Sequence, residues 1–539
     1  MGHTLLTSPR PLNAAAVAAV TAVVAVPLLL TSGCSDSGGS GSSGSSGGSG
    51  GAANSPAPTR PSHIGPAPVS VPSVRDWRSQ RGPGWELSKS TRVVADAGSP
   101  VAAEGRLLAR QLKVPFSEGP ARTGDVALNL DPSVRGKTGA EGYVLTSQQG
   151  QVKITGAAAS GVFHGTRTVL QSARARGGIG DGVAHDRPDR SQRGLLLDVA
   201  RKHYTAGWIE DRIREMGELK LNQLQLHLTD DQGFRIESRS HPEVVSKQHL
   251  TRAQVRHILK VADSRHVTVI PEIDSPGHLG AVLRAHPEFQ LKDASGAPTR
   301  GAVDVGSPAA AGLVDDLLRE YARLFPGRYV HLGGDEYPAL LKRDPEASYP
   351  GLASVARKRY GEGATVRDLA TAWLNGRVKT VRDAGKTPEV WDDGMFAGGR
   401  VRPHRERQVG YWTGREPGKR DPADYLREGR KTVNLNDEFM YYVLGQPNNF
   451  RYPTGRRIYR DWSPAVLRGT RPVPDSLSGP SHIPGGRFAV WGDIADAQTP
   501  QQVADGIRMP LAATAQKLWV PGKPEESWAD FKKTVKKVS

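Results

Sequence analysis

Tyr329-Val330-His331-Leu332-Gly333-Gly334-Asp335-Glu336-Tyr337 opens on a short β-branched and aromatic run, passes through two glycines and then sets two carboxylates side by side. Such a run predicts a buried strand that stops at the glycines, where the backbone turns too tightly for side chains. Asp335 and Glu336 are then presented together. Adjacent carboxylates rarely serve packing, because one resists ionising beside the other. The plainer alternative is a polar strand-to-helix junction with one carboxylate near a helix N-terminus. The flanking chain has to choose between them.

Outward from that stretch the pattern repeats. From Arg193 onward, strand-like runs occur at Gly194–Val199, Gln223–Leu228, Val267–Ile273, Arg328–Leu332, Glu389–Trp391, Val409–Tyr411, Thr432–Leu435 and Phe488–Trp491. Amphipathic segments such as Ala206–Leu219, Arg252–Arg265, Ala309–Leu324 and Val366–Ala384 fit helices between them. About eight such units predict an α/β fold, a (β/α)8 TIM barrel with long insertions over 190–539. No GxGxxG follows a strand and no GxxxxGK[ST] loop is present, which argues against a nucleotide fold.

Ahead of the barrel, residues 69–189 predict a small α+β domain. Its clearest element is a hairpin, Gly142–Thr146 against Gln151–Thr155, turned through Gln149-Gly150. A helix over Gly161–Gln171 follows. The N-terminus reads differently. A polar start with Arg10 leads into an apolar run, Ala14 to Leu30, and then Thr31-Ser32-Gly33-Cys34. That order predicts an export signal over 1–33 rather than a permanent span. Cys34, the sole cysteine, resembles the lipidated first residue of a bacterial lipoprotein, although Thr31 stands where Leu is commoner. Residues 34–68, rich in Gly, Ser and Pro, predict a tether. The expected location is the outer face of the cell membrane, reached through a lipid anchor at Cys34. One cysteine excludes intrachain disulfides and cysteine-rich metal sites. The formal charge of +17 over 539 residues is scattered among acids, with no nucleic-acid module, and reads as a basic surface.

The unusual residues gather where a barrel builds its active site, just after the strand ends. They are Asp198-Val199-Ala200-Arg201, His227-Leu228-Thr229-Asp230-Asp231, Glu272-Ile273-Asp274-Ser275-Pro276-Gly277-His278, Asp335-Glu336, Trp391-Asp392-Asp393, Tyr411-Trp412 and Trp491-Gly492-Asp493. Carboxylates, histidines and aromatic walls on one rim predict a carbohydrate site, because sugars offer C–H faces to tryptophan and hydroxyls to charged acceptors.

His331-Leu332-Gly333-Gly334-Asp335-Glu336 resembles the signature of the family 20 glycoside hydrolases, the β-N-acetylhexosaminidases. Arg193–Arg201, His227–Arg235 and Glu272–His278 are similar to the family's other blocks, in the right order, and Glu141–Gln171 to its small leading domain. The resemblance implies retaining, substrate-assisted hydrolysis of terminal β-linked N-acetylhexosamine through an oxazolinium intermediate, an exception to the usual pair of acid and protein nucleophile among retaining glycosidases. It gives Glu336 the role of acid and base, and Asp335 that of partner to the acetamido N–H. The carboxylate neighbour and the aromatic walls are expected to raise the Glu336 pKa. Tyr442, or its neighbour Tyr441, would donate to the acetamido oxygen. Arg193 would grip hydroxyls, unless it pairs with Asp198 for structure. Trp373, Trp391 and Trp491 would enclose the sugar, with helical packing an alternative for Trp373. Asp230 would also bind substrate, and His278 would tune a carboxylate unless it is merely structural.

Two departures bear on the substrate. Tyr442 is followed by Val443-Leu444-Gly445 where many members carry an aspartate two residues on, and Asp493 replaces a glutamate. GlcNAc, GalNAc and disaccharide-releasing specificities therefore stay open. No cofactor and no metal are expected. Rival readings are a metal-dependent hydrolase using His227, His278 and His331, which lack HxH or HExxH spacing, and a sugar-binding lipoprotein without turnover. Gly-Gly-Asp-Glu also resembles a string of the diguanylate cyclases, which an exported chain without a phosphate loop disfavours.

Overall fold

A computed structural model of the protein describes residues 65–416, 420–446 and 450–539. The signal, Cys34 and nearly all of the tether lie outside these residues. Among the described residues no helix is long and apolar enough to cross a membrane.

Eight parallel strands close into a barrel: β1 (Gln192–Asp198), β2 (Gln223–His227), β3 (Thr268–Glu272), β4 (Tyr329–His331), β5 (Thr387–Trp391), β6 (Gln408–Tyr411), β7 (Thr432–Asn434) and β8 (Gly485–Trp491). Closure is made by β8 against β1, with Arg487 beside Gly194 and Val490 beside Leu197. Runs such as Leu195-Leu196-Leu197 are buried on both faces, which is why they read as continuous apolar segments. A further short strand, Tyr441–Val443, pairs parallel with the C-terminal end of β8.

The surrounding helices are started by side chains rather than by propensity alone. Thr251 with Gln254, Thr365 with Asp368 and Thr499 with Gln502 form capping boxes at the helices Arg252–Asp263, Val366–Asp383 and Pro500–Trp519. Each box satisfies backbone N–H groups that a helix start leaves unpaired.

The preceding domain holds a seven-stranded mixed sheet whose central hairpin, Tyr143–Gln148 and Gln151–Gly156, turns at Gln149 and Gly150 with φ of 54° and 72°. Two positive φ values make the turn whose twist suits a hairpin. Its helix Ala159–Arg176 is buried along most of its length between this sheet and the barrel. Gln171 donates to the Glu218 carbonyl at 2.7 Å, and Arg167 pairs with the Glu218 carboxylate at 2.9 Å. Lys220, fully buried, bonds Asp186, Tyr143 and Thr168 and lies over the Trp519 ring. The small domain is thus fixed to the N-terminal end of the barrel, away from the rim that carries the site.

Candidate active site

At the C-terminal rim, β4 runs into Gly333 and Gly334 in left-handed conformations, φ 67° and 106°. A Cβ on Gly333 would stand 1.6 Å from Asp274 Oδ1, so no other residue fits. Gly334 N–H donates to the same oxygen at 3.0 Å. Glu336 itself has φ 44°, a strained value for a non-glycine residue, held by its N–H donating to Asp393 Oδ2 at 2.9 Å. No helix begins here; the pair sits on an irregular loop and the helix-cap alternative falls. Asp335 points inward with 14% of its side chain exposed, whereas Glu336 stands at the mouth with 39% exposed.

His278 lies between them. Its Nε2 is 3.5 Å from Asp335 Oδ2 and 3.5 Å from Glu336 Oε2, beyond a strong hydrogen bond, and is otherwise unpartnered. Burial alone would lower its pKa, but the Asp230 and Asp335 carboxylates raise it well above the usual imidazole value. Burial, opposed by His278 and reinforced by Glu336, raises the pKa of Asp335. Glu336 behaves in the opposite way from the expectation. The His278 interaction, larger than the burial that opposes it, holds the Glu336 carboxyl below its ordinary value. An expected acid with a raised pKa is therefore absent from the free molecule. Burial likewise raises the pKa of two nearby carboxyls, Asp274 and Asp393, the latter to about 8.

Aromatic rings wall the pocket. Trp412 and Tyr441 stack with ring centroids 5.6 Å apart and planes 1° apart; Trp491 meets Tyr441 at 5.7 Å and Trp391 at 6.0 Å. Trp391, 1% exposed, packs behind Trp491 with its Nε1 donating to Glu272 Oε1 at 2.8 Å, and Trp412 Nε1 donates to Asp393 Oδ1 at 3.0 Å. Val443 and Phe450 complete an apolar side, while Arg201 and Asp493 line the polar side.

Four assignments change. Arg193 lies near the start of β1, on the other end of the barrel, 1% exposed, and its guanidinium donates to both oxygens of Glu141 at 3.0 Å and to two backbone carbonyls. It joins the two domains and touches neither sugar pocket nor Asp198. The arginine of the pocket is Arg201, just beyond the end of the same strand, held by Asp198 at 2.8 Å and Asp230 at 2.7 Å. It stands in the group Asp198–Arg201 that follows the strand end, which the sequence marks without giving Arg201 a role. Asp230, 2% exposed, does not line the pocket: it also contacts His227 Nε2 at 3.0 Å and His278 Nδ1 at 3.3 Å, and so orients Arg201 and two imidazoles. Trp373 belongs to the packed helix Val366–Asp383, with Nε1 donating to Ser275 Oγ at 3.1 Å and Arg377 over its ring. Trp412 takes the place expected of it.

Tyr442 is the fourth. Successive side chains on a strand face opposite sides. Tyr441 faces the pocket, whereas Tyr442 stacks on Tyr452 at 4.2 Å and donates to Gln498 at 3.0 Å. Tyr441 is therefore the residue available to a ligand, and its hydroxyl has no hydrogen-bond partner among the described residues. His278, Trp391, Trp491 and Asp493 lie at the site as expected.

Two donor sets here stand close enough to chelate a cation, Asp274 with His278 and Asp335, and His227 with Glu272 and Asp274. A larger cleft, about 420 Å³, lies between outer helices by Arg174, Arg212 and Glu215, and holds no comparable set of carboxylates and stacking rings.

Comparison with known proteins agrees with this geometry. The chain is 28% identical over 478 residues to "Lacto-N-biosidase" of Bifidobacterium bifidum, covering 87% of this chain and 41% of that protein. It is 28% identical over 494 residues to "Beta-N-acetylhexosaminidase" of Cellulomonas fimi, covering 84% and 89%. A Streptomyces coelicolor family 20 β-N-acetylhexosaminidase structure superposes with a TM-score of 0.70 at 24% identity, over 88% of this chain and 96% of that one, a likeness of fold. Residues 68–187 match the model of glycosyl hydrolase family 20, domain 2, and residues 191–521 match that of the catalytic domain. The chain belongs to glycosyl hydrolase family 20.

Proposed function

We propose that the protein removes terminal, non-reducing β-linked N-acetylhexosamine with retention of configuration, using the substrate's own acetamido group as nucleophile. The observation that carries this reading is the pair Asp335 and Glu336 at the mouth of a box of Trp391, Trp412, Tyr441 and Trp491. Such a box seats a sugar face and an acetamido methyl. Asp335, inside it, accepts the acetamido N–H; Tyr441 donates to the acetamido oxygen and aims it at the anomeric carbon. That oxygen bonds to the anomeric carbon as the glycosidic bond breaks, and the Glu336 proton passes to the leaving oxygen. Asp335 stabilises the positive charge of the oxazolinium. Water, deprotonated by Glu336, then attacks the anomeric carbon, the ring opens and the β-sugar leaves. Arg201 offers two parallel donations to ring hydroxyls.

This sequence needs an ionised Asp335 and a protonated Glu336, each against the direction in which the free site shifts its pKa. An N–H facing Asp335 favours its anion, and a sugar over Glu336 excludes water and so adds to the burial that opposes His278 there. His278, facing both, is placed to pass that change between them. The test is hydrolysis of aryl β-GlcNAc and aryl β-GalNAc with release of the β-anomer. Binding without turnover would leave the sugar-binding lipoprotein, and loss of turnover with a chelator would favour the metal hydrolase.

Release of a disaccharide is a second reading, favoured by one observation. With Tyr441 as the pocket tyrosine, the residue two further on is Val443, an apolar wall where many family members carry a hydroxyl-binding aspartate. An aryl lacto-N-bioside cleaved faster than aryl β-GlcNAc would select it. The reading also places the enzyme outside the cell, lipid-anchored through Cys34 and reaching its substrate on the Ser35–Pro68 tether. The order of apolar run, small residues and cysteine supports this. Cys34→Ser should move the protein from the membrane fraction to the soluble one, and an unchanged distribution would refute the anchor.

A further inference from the structure

We propose that His241, Glu243 and His286 form a site for a divalent cation of the Zn2+ class, outside the catalytic pocket, which ties the loop after β2 to the loop after β3. It is independent of the hydrolase reading.

The tripeptide His-Pro-Glu occurs twice, at His241-Pro242-Glu243 and at His286-Pro287-Glu288. A following proline keeps each histidine out of the helical region, with φ and ψ of −139° and 70° at His241 and −130° and 63° at His286. Each proline then opens a single 3-10 turn, Pro242–Val244 and Pro287–Phe289. The two turns face one another, with the imidazole rings 6.4 Å apart and nearly perpendicular. His241 Nδ1 lies 2.9 Å from Glu243 Oε1, and His286 Nε2 lies 3.0 Å from that same oxygen. Two imidazole nitrogens from different loops thus converge on one carboxylate, with all three donor atoms within 4.8 Å of one another. Tetrahedral Zn2+ with bonds of about 2.0–2.1 Å separates its ligands by roughly 3.3 Å, so the two nitrogen–oxygen separations need to widen by only tenths of an ångström.

The second ring nitrogens carry the argument further. A metal-bound histidine normally has a carboxylate or carbonyl behind its other nitrogen, which fixes the tautomer. His286 Nδ1 has Glu288 at 3.1 Å. His241 Nε2 has Asp316 Oδ2 at 3.8 Å and, although buried, no hydrogen-bond partner. Simple ion pairing would account for one histidine on Glu243, but gives no reason for two imidazoles on one oxygen, each backed by a further acid. Imidazole with carboxylate suits Zn2+ better than Mg2+ or Ca2+, which prefer oxygen-only shells. The helix Gly280–Ala285 runs from His278 to His286. A cation here would pin the far end of the segment whose near end faces Asp335 and Glu336.

The full chain, stripped with chelator, should be titrated with Zn2+ by calorimetry and by thermal melting at about pH 7.5, where free imidazole is largely neutral. One saturable Zn2+ per chain with a raised Tm is expected, and no response to Mg2+ or Ca2+. The double variant His241→Ala/His286→Ala and the near-isosteric Glu243→Gln should each weaken binding about tenfold or more. Metal-free Tm and circular dichroism report whether the variants fold, and Glu243→Gln decides if the double variant does not. Absence of saturable Zn2+ binding overturns the proposal. So does unchanged Zn2+ affinity in a folded variant, which would place the ion elsewhere, for example at Asp274, His278 and Asp335.

Discussion

Two clusters of buried charge lie within one barrel, and they differ in what they leave unpaired. In the lower one Arg487 bonds both oxygens of Glu389 at 2.7 and 3.0 Å and also Gln223 and Gln225, while Gln192 and Gln408 close the network. None of their side-chain polar atoms is buried without a partner. At the rim the reverse holds: His227 Nδ1, Asp274 Oδ2, His278 Nε2, Asp335 Oδ1, Asp392 Oδ2 and Trp491 Nε1 all lack one. Buried polar groups are ordinarily satisfied, so such a gathering of exceptions needs a cause. The lower cluster is satisfied within the protein, whereas the rim cluster keeps polar atoms open to a ligand.

The contrast is broken most severely at the carboxylate pair. Glu336→Gln should lower kcat on poor leaving groups by about 10²–10⁴, and far less on activated aryl glycosides, because only the former need the proton. Asp335→Asn should lower kcat by about 10²–10³ even on activated substrates, through loss of charge stabilisation. Equal losses for both variants on every leaving group would remove the division of roles.

Two arginines on or just beyond one strand sharpen it further. Arg201→Lys should depress kcat/KM while leaving Tm close to wild type. Arg193→Ala should leave KM unchanged and cost about 1.5–3 kcal/mol of stability through its charged hydrogen bonds to Glu141, measured by urea unfolding. The opposite pattern would restore Arg193 to the pocket. A smaller effect separates the tyrosines. Tyr441→Phe should reduce kcat, whereas Tyr442→Phe should lose one hydrogen bond to Gln498, about 1 kcal/mol, without kinetic consequence.

The rim should also be visible in the pH dependence of stability. Asp393 has its folded pKa raised, by burial and then by Asp335, to about 8. Its contribution is fully present below the ordinary aspartate range and is lost as pH rises through about 8. Glu272 goes the other way: burial opposes ionisation, but His331 and His227 hold it down to about 2, so its contribution is lost only as pH falls towards that value. Asp393→Asn should therefore flatten the alkaline loss of stability and leave the acid limb in place.

The barrel was legible because its strands are buried on both faces, which forces runs like Leu195-Leu196-Leu197, and because helices such as Arg252–Asp263 carry their own start signals. The carboxylate pair was legible because glycines at 333 and 334 announce a turn that no other residue makes. What escaped is orientation. Tyr441 and Tyr442 differ only in strand parity, set by pairing of a three-residue strand with β8. Trp373 sits on an amphipathic helix where a core tryptophan and a pocket tryptophan look alike. Arg193 and Arg201 flank the same motif, and only the strand direction, with Arg201 past its C-terminal end, separates them. The lowered pKa of Glu336 depends on His278, brought from another loop with φ 56°, a placement no local pattern encodes.

The central claim is that the acetamido group, held by Asp335 and Tyr441, is the nucleophile. The measurement that tests it most directly compares kcat/KM for an aryl β-N-acetylglucosaminide with that for the matched aryl β-glucoside, which has a hydroxyl in place of the acetamido group. The account predicts hydrolysis of the first with retention, and a loss of about 10³ or more on the second, since an oriented internal nucleophile is gone. Comparable rates on the two glycosides would contradict it.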